Sequence, residues 1–242
     1  MVNKQGRQQP EKRVESGKNT LAYGVIATDY DGTLATKGTV DTATLESLER
    51  YRHHGGHLIL VTGRRIDELL EVFPHSHLFQ GIVAENGAVF HRPYGNQVKP
   101  LADPFPLILV DTLKASGVDP IHQGQVLVAT WEPHGETVQR TIQALGLDAT
   151  VILNKQAVMI LPQGVNKASG LAFALAELGL AHLPTVGIGD AENDHSLLQA
   201  CDRGVAVANA LPGLKAIAHY VTQGERGDGV QEVIDLLLEG GL

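Results

Sequence analysis

Short apolar runs recur along this chain, each closed by polar or acidic residues and separated from the next by an amphipathic stretch. The runs lie at 24–28 (GVIAT), 57–62 (HLILVT), 81–84, 185–189 and 204–207. Strands that are apolar on both faces suit a parallel sheet covered by helices on both sides. The intervening stretches have helical periodicity. Asp41 can cap a helix carrying Leu45, Leu48 and Tyr51 that stops at Gly55-Gly56, and further helices are expected at about 65–73, 167–178, from Asn193, and at about 230–238. This alternation confines the chain to an α/β fold with a doubly wound, Rossmann-like parallel sheet.

The middle of the chain breaks the pattern. After Asn86-Gly87, two short strands at 88–91 and 97–101 flank a Tyr94-Gly95-Asn96 turn. A helix at about 104–116, a strand at 125–130, a helix at 133–145 and strands at 150–153 and 157–161 follow. Strands that follow one another without a helix between them indicate a small α+β unit. The expected layout is a disordered polar tail at 1–20, a core at 21–87 and 162–242, and an inserted α+β cap at 88–161.

Charge and composition narrow the function. There are 27 acidic residues against 19 basic, a net charge of -8, which opposes general binding to nucleic acid or acidic membrane. No apolar run nears the ~18 residues of a membrane span. An aromatic content of 5% gives no stacking platform for single strands. One cysteine, Cys201, excludes an intramolecular disulfide and points to a reducing compartment. The first twenty residues lack the apolar stretch of a signal peptide. A soluble, cytoplasmic protein is expected.

Four local features carry chemistry. At the end of the first apolar run stands Asp29-Tyr30-Asp31-Gly32-Thr33. On an extended backbone, positions i and i+2 face the same way, so both carboxylates would enter one site at a strand's carboxyl end. Two adjacent carboxylates repel unless a cation neutralises them, and hard oxygen ligands suit Mg²⁺. The same residues would also serve as a polar strand end with an Asp-Gly turn. Thr62 ends the second run and is followed by Gly63-Arg64 and a helix, whose N-terminal amides make an anion site. Lys167 falls in the first turn of a helix capped by Asn166, where a cation opposes the helix dipole. An anion between the lysine and the amides would explain the placement, and a solvated lysine would be the plain alternative. Finally, Gly187-Ile188-Gly189-Asp190-Ala191-Glu192-Asn193-Asp194 ends a second strand in an acidic cluster. An N-cap with a charged first turn accounts for Glu192, but not for two strands that both end in aspartate.

Together these features describe a phosphoryl-transfer site with a carboxylate nucleophile, phosphate-binding Thr and Lys, and a metal held by aspartates. In order and context they resemble the four motifs of the haloacid dehalogenase superfamily. With the insert between the second and third motifs and Asn86-Gly87-Ala88 before it, the chain looks like the Cof-like, sucrose-phosphate-phosphatase-like branch. The resemblance runs from about residue 21 to 242. It implies that Asp29 is the nucleophile and Asp31 the acid and base, with Thr62 and Lys167 on the phosphoryl oxygens. It implies Mg²⁺ on Asp29, the Asp31 carbonyl and Asp190, supported by Asp194. Gly32, Gly63, Arg64, Asn86 and Asn193 complete the implied substrate and phosphate contacts. Asp31 argues for a phosphatase, because the dehalogenases of the superfamily lack the second aspartate. Tyr30 departs from the smaller or apolar residue usual there.

Other signals read as structural. His53, His54 and His57, and the pair His75 and His77, show no zinc-ligand spacing. Cys201 reads as a small buried residue, and Trp131 as cap packing more than substrate contact. The expected function is a Mg²⁺-dependent phosphatase acting on a small phosphorylated metabolite, a sugar or sugar-acid phosphate. The expected state is monomer or homodimer, with no nucleic-acid or membrane partner. The alternatives are a phosphomutase of the phosphomannomutase kind and a non-catalytic ligand-binding module on the same fold.

Overall fold

Every residue of the first strand, β1 (Val25–Thr28), is buried, and its alternation divides the core in two. The computed structural model describes residues 21–242, so the tail expected at 1–20 lies outside the described residues. Ile26 points to the side covered by α1 (Thr42–His53) and by the last helix of the chain. Val25 and Ala27 point to the opposite side. The next elements are β2 (His57–Val61), α2 (Ile66–Val72), β3 (Gly81–Ala84), β4 (Val89–Arg92) and β5 (Gln97–Pro100). They are followed by α3 (Leu107–Ala115), β6 (His122–Gln123), β7 (Val128–Trp131), α4 (Gly135–Ala144), β8 (Ala149–Asn154) and β9 (Ala157–Pro162). The chain closes with α5 (Lys167–Glu177), β10 (Thr185–Gly189), α6 (His195–Ala200), β11 (Arg203–Ala206), α7 (Pro212–Lys215), β12 (Tyr220–Val221) and α8 (Arg226–Glu239).

The large sheet has the order β12-β11-β10-β1-β2-β3-β4-β5 and is parallel from β12 to β3. On one face, Ile26, Leu58 and Leu60 pack with Leu48 and Tyr51 of α1 and with Val230, Val233, Ile234 and Leu237 of α8. On the other, Val25, Ala27, Ile59 and Val61 meet Leu171 and Ala174 of α5 and Leu197 of α6. This is the expected α/β core with helices on both sides. The strand order reverses between β1 and β10, and at such a switch point the loops diverge and leave a crevice beyond the carboxyl ends. Asp29 follows β1 directly and Asp190 follows β10 directly.

A second, antiparallel sheet has the order β6-β7-β9-β8. Val128, Val158 and Ile160 pack there with Leu109 and Leu113 of α3 and Val138 of α4, a small core of their own. Two details differ from the expectation. The hairpin expected to open the cap, β4 and β5, instead extends the large sheet as its antiparallel edge. Only the four residues Glu85–Ala88 separate β3 from β4, so the chain folds back onto its immediate neighbour, burying Val89 and Phe90. The strand expected at 125–130 begins later, at Val128, because the amides of residues 125–127 are spent on a side chain of the core. Among the described residues, no helix is long and apolar enough to cross a membrane.

Candidate active site

The alternation that buries Val25 and Ala27 against α5 carries on to Asp29, so its carboxylate is turned toward the N-terminus of that helix. There Lys167, the first residue of α5, meets it. Lys167 Nζ donates to Asp29 Oδ1 at 2.5 Å and to Asp194 Oδ1 at 2.6 Å. The ammonium is fully buried, and the two carboxylates are nearly so. Asp194 is itself held by the backbone, since its Oδ2 accepts from the amides of Asp190 (2.9 Å) and Ala191 (3.1 Å). The α5 terminus is fixed by a capping box in which Asn166 Oδ1 accepts from the Ser169 amide and Ser169 Oγ accepts from the Asn166 amide.

The close approach of α5 depends on Gly87. Its φ is +107°, and a Cβ there would stand 1.9 Å from the carbonyl oxygen of Asn166, the residue before Lys167. Glu85 and Asn86 also have positive φ, at 51° and 52°. This turn is stitched to the end of β2: the Glu85 amide donates to the Arg64 carbonyl and the Asn86 amide to that of Thr62.

Oxygens of Asp29, Asp190 and Asp194 lie within 4.8 Å of one another, all buried. Lys167 is the cation buried among them and Lys155 reaches Asp190 from the cleft side, so the three carboxylates exceed the two ammoniums beside them by one charge. Burial, reinforced by Asp194 and Asp190, pushes the Asp29 carboxyl up to about 8 against the pull of Lys167. Burial also raises the Asp190 carboxyl, while against the downward pull of burial Asp194 and Asp29 hold Lys167 well above its ordinary value. An all-oxygen set with surplus negative charge fits a divalent cation. Gly32 carries the chain past this cluster with φ +90°, in a place where a Cβ would meet the Asp190 carboxylate at 2.5 Å.

Asp31 takes a different partner. The strand ends at Thr28 and the Tyr30 carbonyl accepts from the amides of Leu34 and Ala35, so the backbone is already turning and the two aspartates do not share one strand face. Arg64 grips Asp31 through both oxygens, Nε to Oδ2 at 2.6 Å and the terminal nitrogen to Oδ1 at 2.8 Å. Thr62 is buried, and its hydroxyl accepts from the Arg64 amide at 3.1 Å.

A cleft of about 600 Å³ opens above this floor, between the two sheets. Asp29, Asp31, Gly63, Arg64, Asp190 and Asn193 line it, whereas Thr62, Asn86, Lys167 and Asp194 are buried behind them. Asn193 Nδ2 donates to Asn86 Oδ1 at 2.9 Å, which joins the loop after β10 to the turn after β3. The Gly32 carbonyl accepts from Asn209 Nδ2 and faces away from the cleft lining.

Two residues matter here that no sequence signal marks, Glu85 and Lys155, and a third, Trp131, lies elsewhere than expected. Glu85 is 1% exposed and belongs to the core, yet its carboxylate accepts from the amides of Gln125, Val126 and Leu127 at 2.9–3.0 Å. Lys155, at the tip of the β8–β9 hairpin, reaches down to Asp190 at 3.1 Å. Trp131, expected to pack inside the cap, is instead 47% exposed and lines the cleft. Val128 and Thr130 take the inner positions of β7, which leaves Ala129 and Trp131 facing the opening. Cys201 behaves as expected: it is buried, and burial pushes its thiol up to about 12.

The chain was compared with known proteins. A family model described as haloacid dehalogenase-like hydrolase matches residues 26–108 and 124–234. A phosphoglycolate phosphatase of Methanothermobacter thermautotrophicus is 29% identical over 217 residues, covering 86% of this chain and 96% of the relative. One from Pyrobaculum aerophilum is 28% identical, covering 91% and 98%. A solved haloacid dehalogenase-like hydrolase from B. subtilis has a TM-score of 0.72 at 18% identity, covering 88% of this chain and 99% of that one.

Proposed function

The chain belongs to the haloacid dehalogenase-like hydrolases and is a phosphatase of that family; on that premise we propose that it hydrolyses a small phosphorylated metabolite, a sugar or short-acid phosphate, through an aspartyl phosphate. The observation that carries the reading is the buried Lys167, bonded at once to Asp29 and to Asp194 beside Asp190. A lysine desolvated to this degree is costly in a merely structural role, and its value lies in fixed charge where a phosphoryl group would sit.

In the proposed reaction, an Asp29 oxygen attacks phosphorus in line while the bond from phosphorus to the ester oxygen breaks. Asp31 gives its proton to the departing alcohol oxygen. Asp31 then takes a proton from water as that water attacks phosphorus, and the bond from phosphorus to Asp29 breaks, releasing inorganic phosphate. Arg64 holds the ionised Asp31 through both oxygens, and one of these two bonds opens when Asp31 carries the proton that it gives to the alcohol. Lys167 and Thr62 stand behind Asp29 and Arg64 as phosphoryl partners, with Gly63, Asn86 and Asn193 shaping the same wall. A Mg²⁺ ion on Asp29, Asp190, Asp194 and the Asp31 carbonyl would, when bound, neutralise charge on the phosphoryl oxygens. The relatives named phosphoglycolate phosphatase make a phosphorylated two-carbon acid the first substrate to try.

The test is phosphate release from an aryl phosphate, phosphoglycolate and a panel of sugar phosphates, with and without Mg²⁺, on wild type and Asp29→Asn. The reading expects release that needs Mg²⁺ and falls by at least about 10³-fold in the variant. Release that survives the substitution would sink Asp29 as nucleophile.

A further inference from the structure

Among the described residues, one hydrogen bond joins the cap to the catalytic carboxylates. Lys155 opens the two-residue turn between Asn154 and Ala157 in the left-handed region, with φ +57°. Its amide donates to Glu192 Oε2 at 3.1 Å, which ties the hairpin tip to the loop after β10. Its ammonium reaches Asp190 Oδ2, also at 3.1 Å. The side chain is 54% exposed and lines the cleft, whereas Asp190 is almost wholly buried. Asp190 receives little else, only the Thr33 hydroxyl at 3.3 Å.

We propose that Lys155 is a specificity-determining residue that stands in for the divalent cation at Asp190 and, once displaced by it, reads a second anionic group on the substrate. The inference rests on the phosphatase reading above. The ammonium and a divalent ion claim the same carboxylate, and the surplus charge of the three aspartates favours the doubly charged ion. Lys167 cannot exchange in this way, because it is sealed beneath Asp29 and Asp194. Lys155 hangs from the roof on a flexible stem, and its backbone remains anchored to Glu192 when its head group leaves. The released ammonium stays within the cleft, on the side of the cap. A phosphomonoester attacked in line by Asp29 has its ester oxygen on the side opposite that carboxylate, so its alcohol portion points into the cleft that the cap roofs. The substrate class this selects is a phosphomonoester whose alcohol part carries a carboxylate or a second phosphate.

The experiment compares wild type, Lys155→Met and Lys155→Arg on a matched pair of esters, phosphoglycolate and 2-hydroxyethyl phosphate, which differ in the carboxylate. The ratio of kcat/KM for the acid over the neutral ester should fall roughly tenfold in Lys155→Met, through KM, and recover largely in Lys155→Arg. In parallel, calorimetric titration with Mg²⁺ and no substrate should show roughly two- to fivefold tighter binding to Lys155→Met, because the ion no longer displaces an ammonium. An unchanged ester ratio overturns the selectivity, and an unchanged Mg²⁺ affinity overturns the exchange. A wild type that hydrolyses neither ester overturns the phosphatase reading instead, and the titration, which needs no turnover, judges the lysine on its own.

Discussion

The floor and the roof of the cleft are built in opposite ways. On the floor, Lys167 and Asp194 are sealed from water, Asp29 shows only an edge to the cleft, and each is bonded to another fixed group. In the roof, Lys155 at the β8–β9 hairpin tip and Trp131 at the end of β7 are about half exposed. A buried charge network is stiff and intolerant, since removing one member strands the rest in a low dielectric. Exposed side chains on a turn can change partner or identity at little cost to folding. The reacting atoms are thus held by the rigid region, while the choice of alcohol is left to the adaptable one.

Lys167→Met tests the stiff side most severely. It strands Asp29 and Asp194 and should cost about 3–5 kcal/mol of stability in metal-free protein, measured by urea denaturation. Mg²⁺ should restore part of the loss, and a change under about 1 kcal/mol would break the contrast between floor and roof. Next in size is the joint between the two regions. Glu85→Ala leaves three amides of residues 125–127 without their acceptor and should cost about 2–3 kcal/mol. Because Glu85 acts by positioning the cap, KM should rise more than kcat falls, and an equal fall of kcat on every ester would place it in the chemistry instead.

The pH dependence sharpens the same contrast. The Asp29 carboxyl binds its proton more tightly folded than unfolded, with a value near 8 against an ordinary 3.8. Between about pH 4 and 8 the folded state therefore holds the extra proton, and its stability is lost as pH rises through that window. Tm of metal-free protein should fall from pH 5 to pH 8, and Mg²⁺, which replaces the proton, should raise Tm more at the upper end. A flat profile would mean that the floor is neutralised in some other way. The smallest effect belongs to the roof: Trp131→Ala should change stability by no more than about 0.5 kcal/mol while altering KM among substrates of different size.

What could be read from the residues follows the range of the forces involved. Aspartates closing β1 and β10, and a lysine opening α5, are local facts of strand length and helix phase, so the motif loops were legible. That Asp31 leaves the strand face was not, because it depends on Tyr30 accepting the turn amides and on Arg64 arriving from the next loop. The edge hairpin β4–β5 looks the same in sequence whether it pairs with β3 or with a cap strand, and the four-residue turn decides it. Glu85 and Lys155 are single charged residues without periodicity, and their partners lie 40 to 42 and 35 residues away. Contacts of that separation leave no trace in local pattern.

Position 87 shows how far chemistry can depend on a residue that has none. With the Asn166 carbonyl 1.9 Å from where a methyl would stand, even alanine must push α5 outward, and Lys167 rides on its first turn. A saturation library screened for activity should therefore find this glycine as unforgiving as Asp29, although it offers no functional group. In the exposed turn at Tyr94-Gly95-Asn96 a Cβ at Gly95 meets nothing within 4 Å, so a substitution there should cost only the backbone strain of its φ of +91°. Tolerance to mutation in this chain is set by clearance to the helix bearing the lysine, and a map of permitted residues would trace that clearance without any view of the substrate.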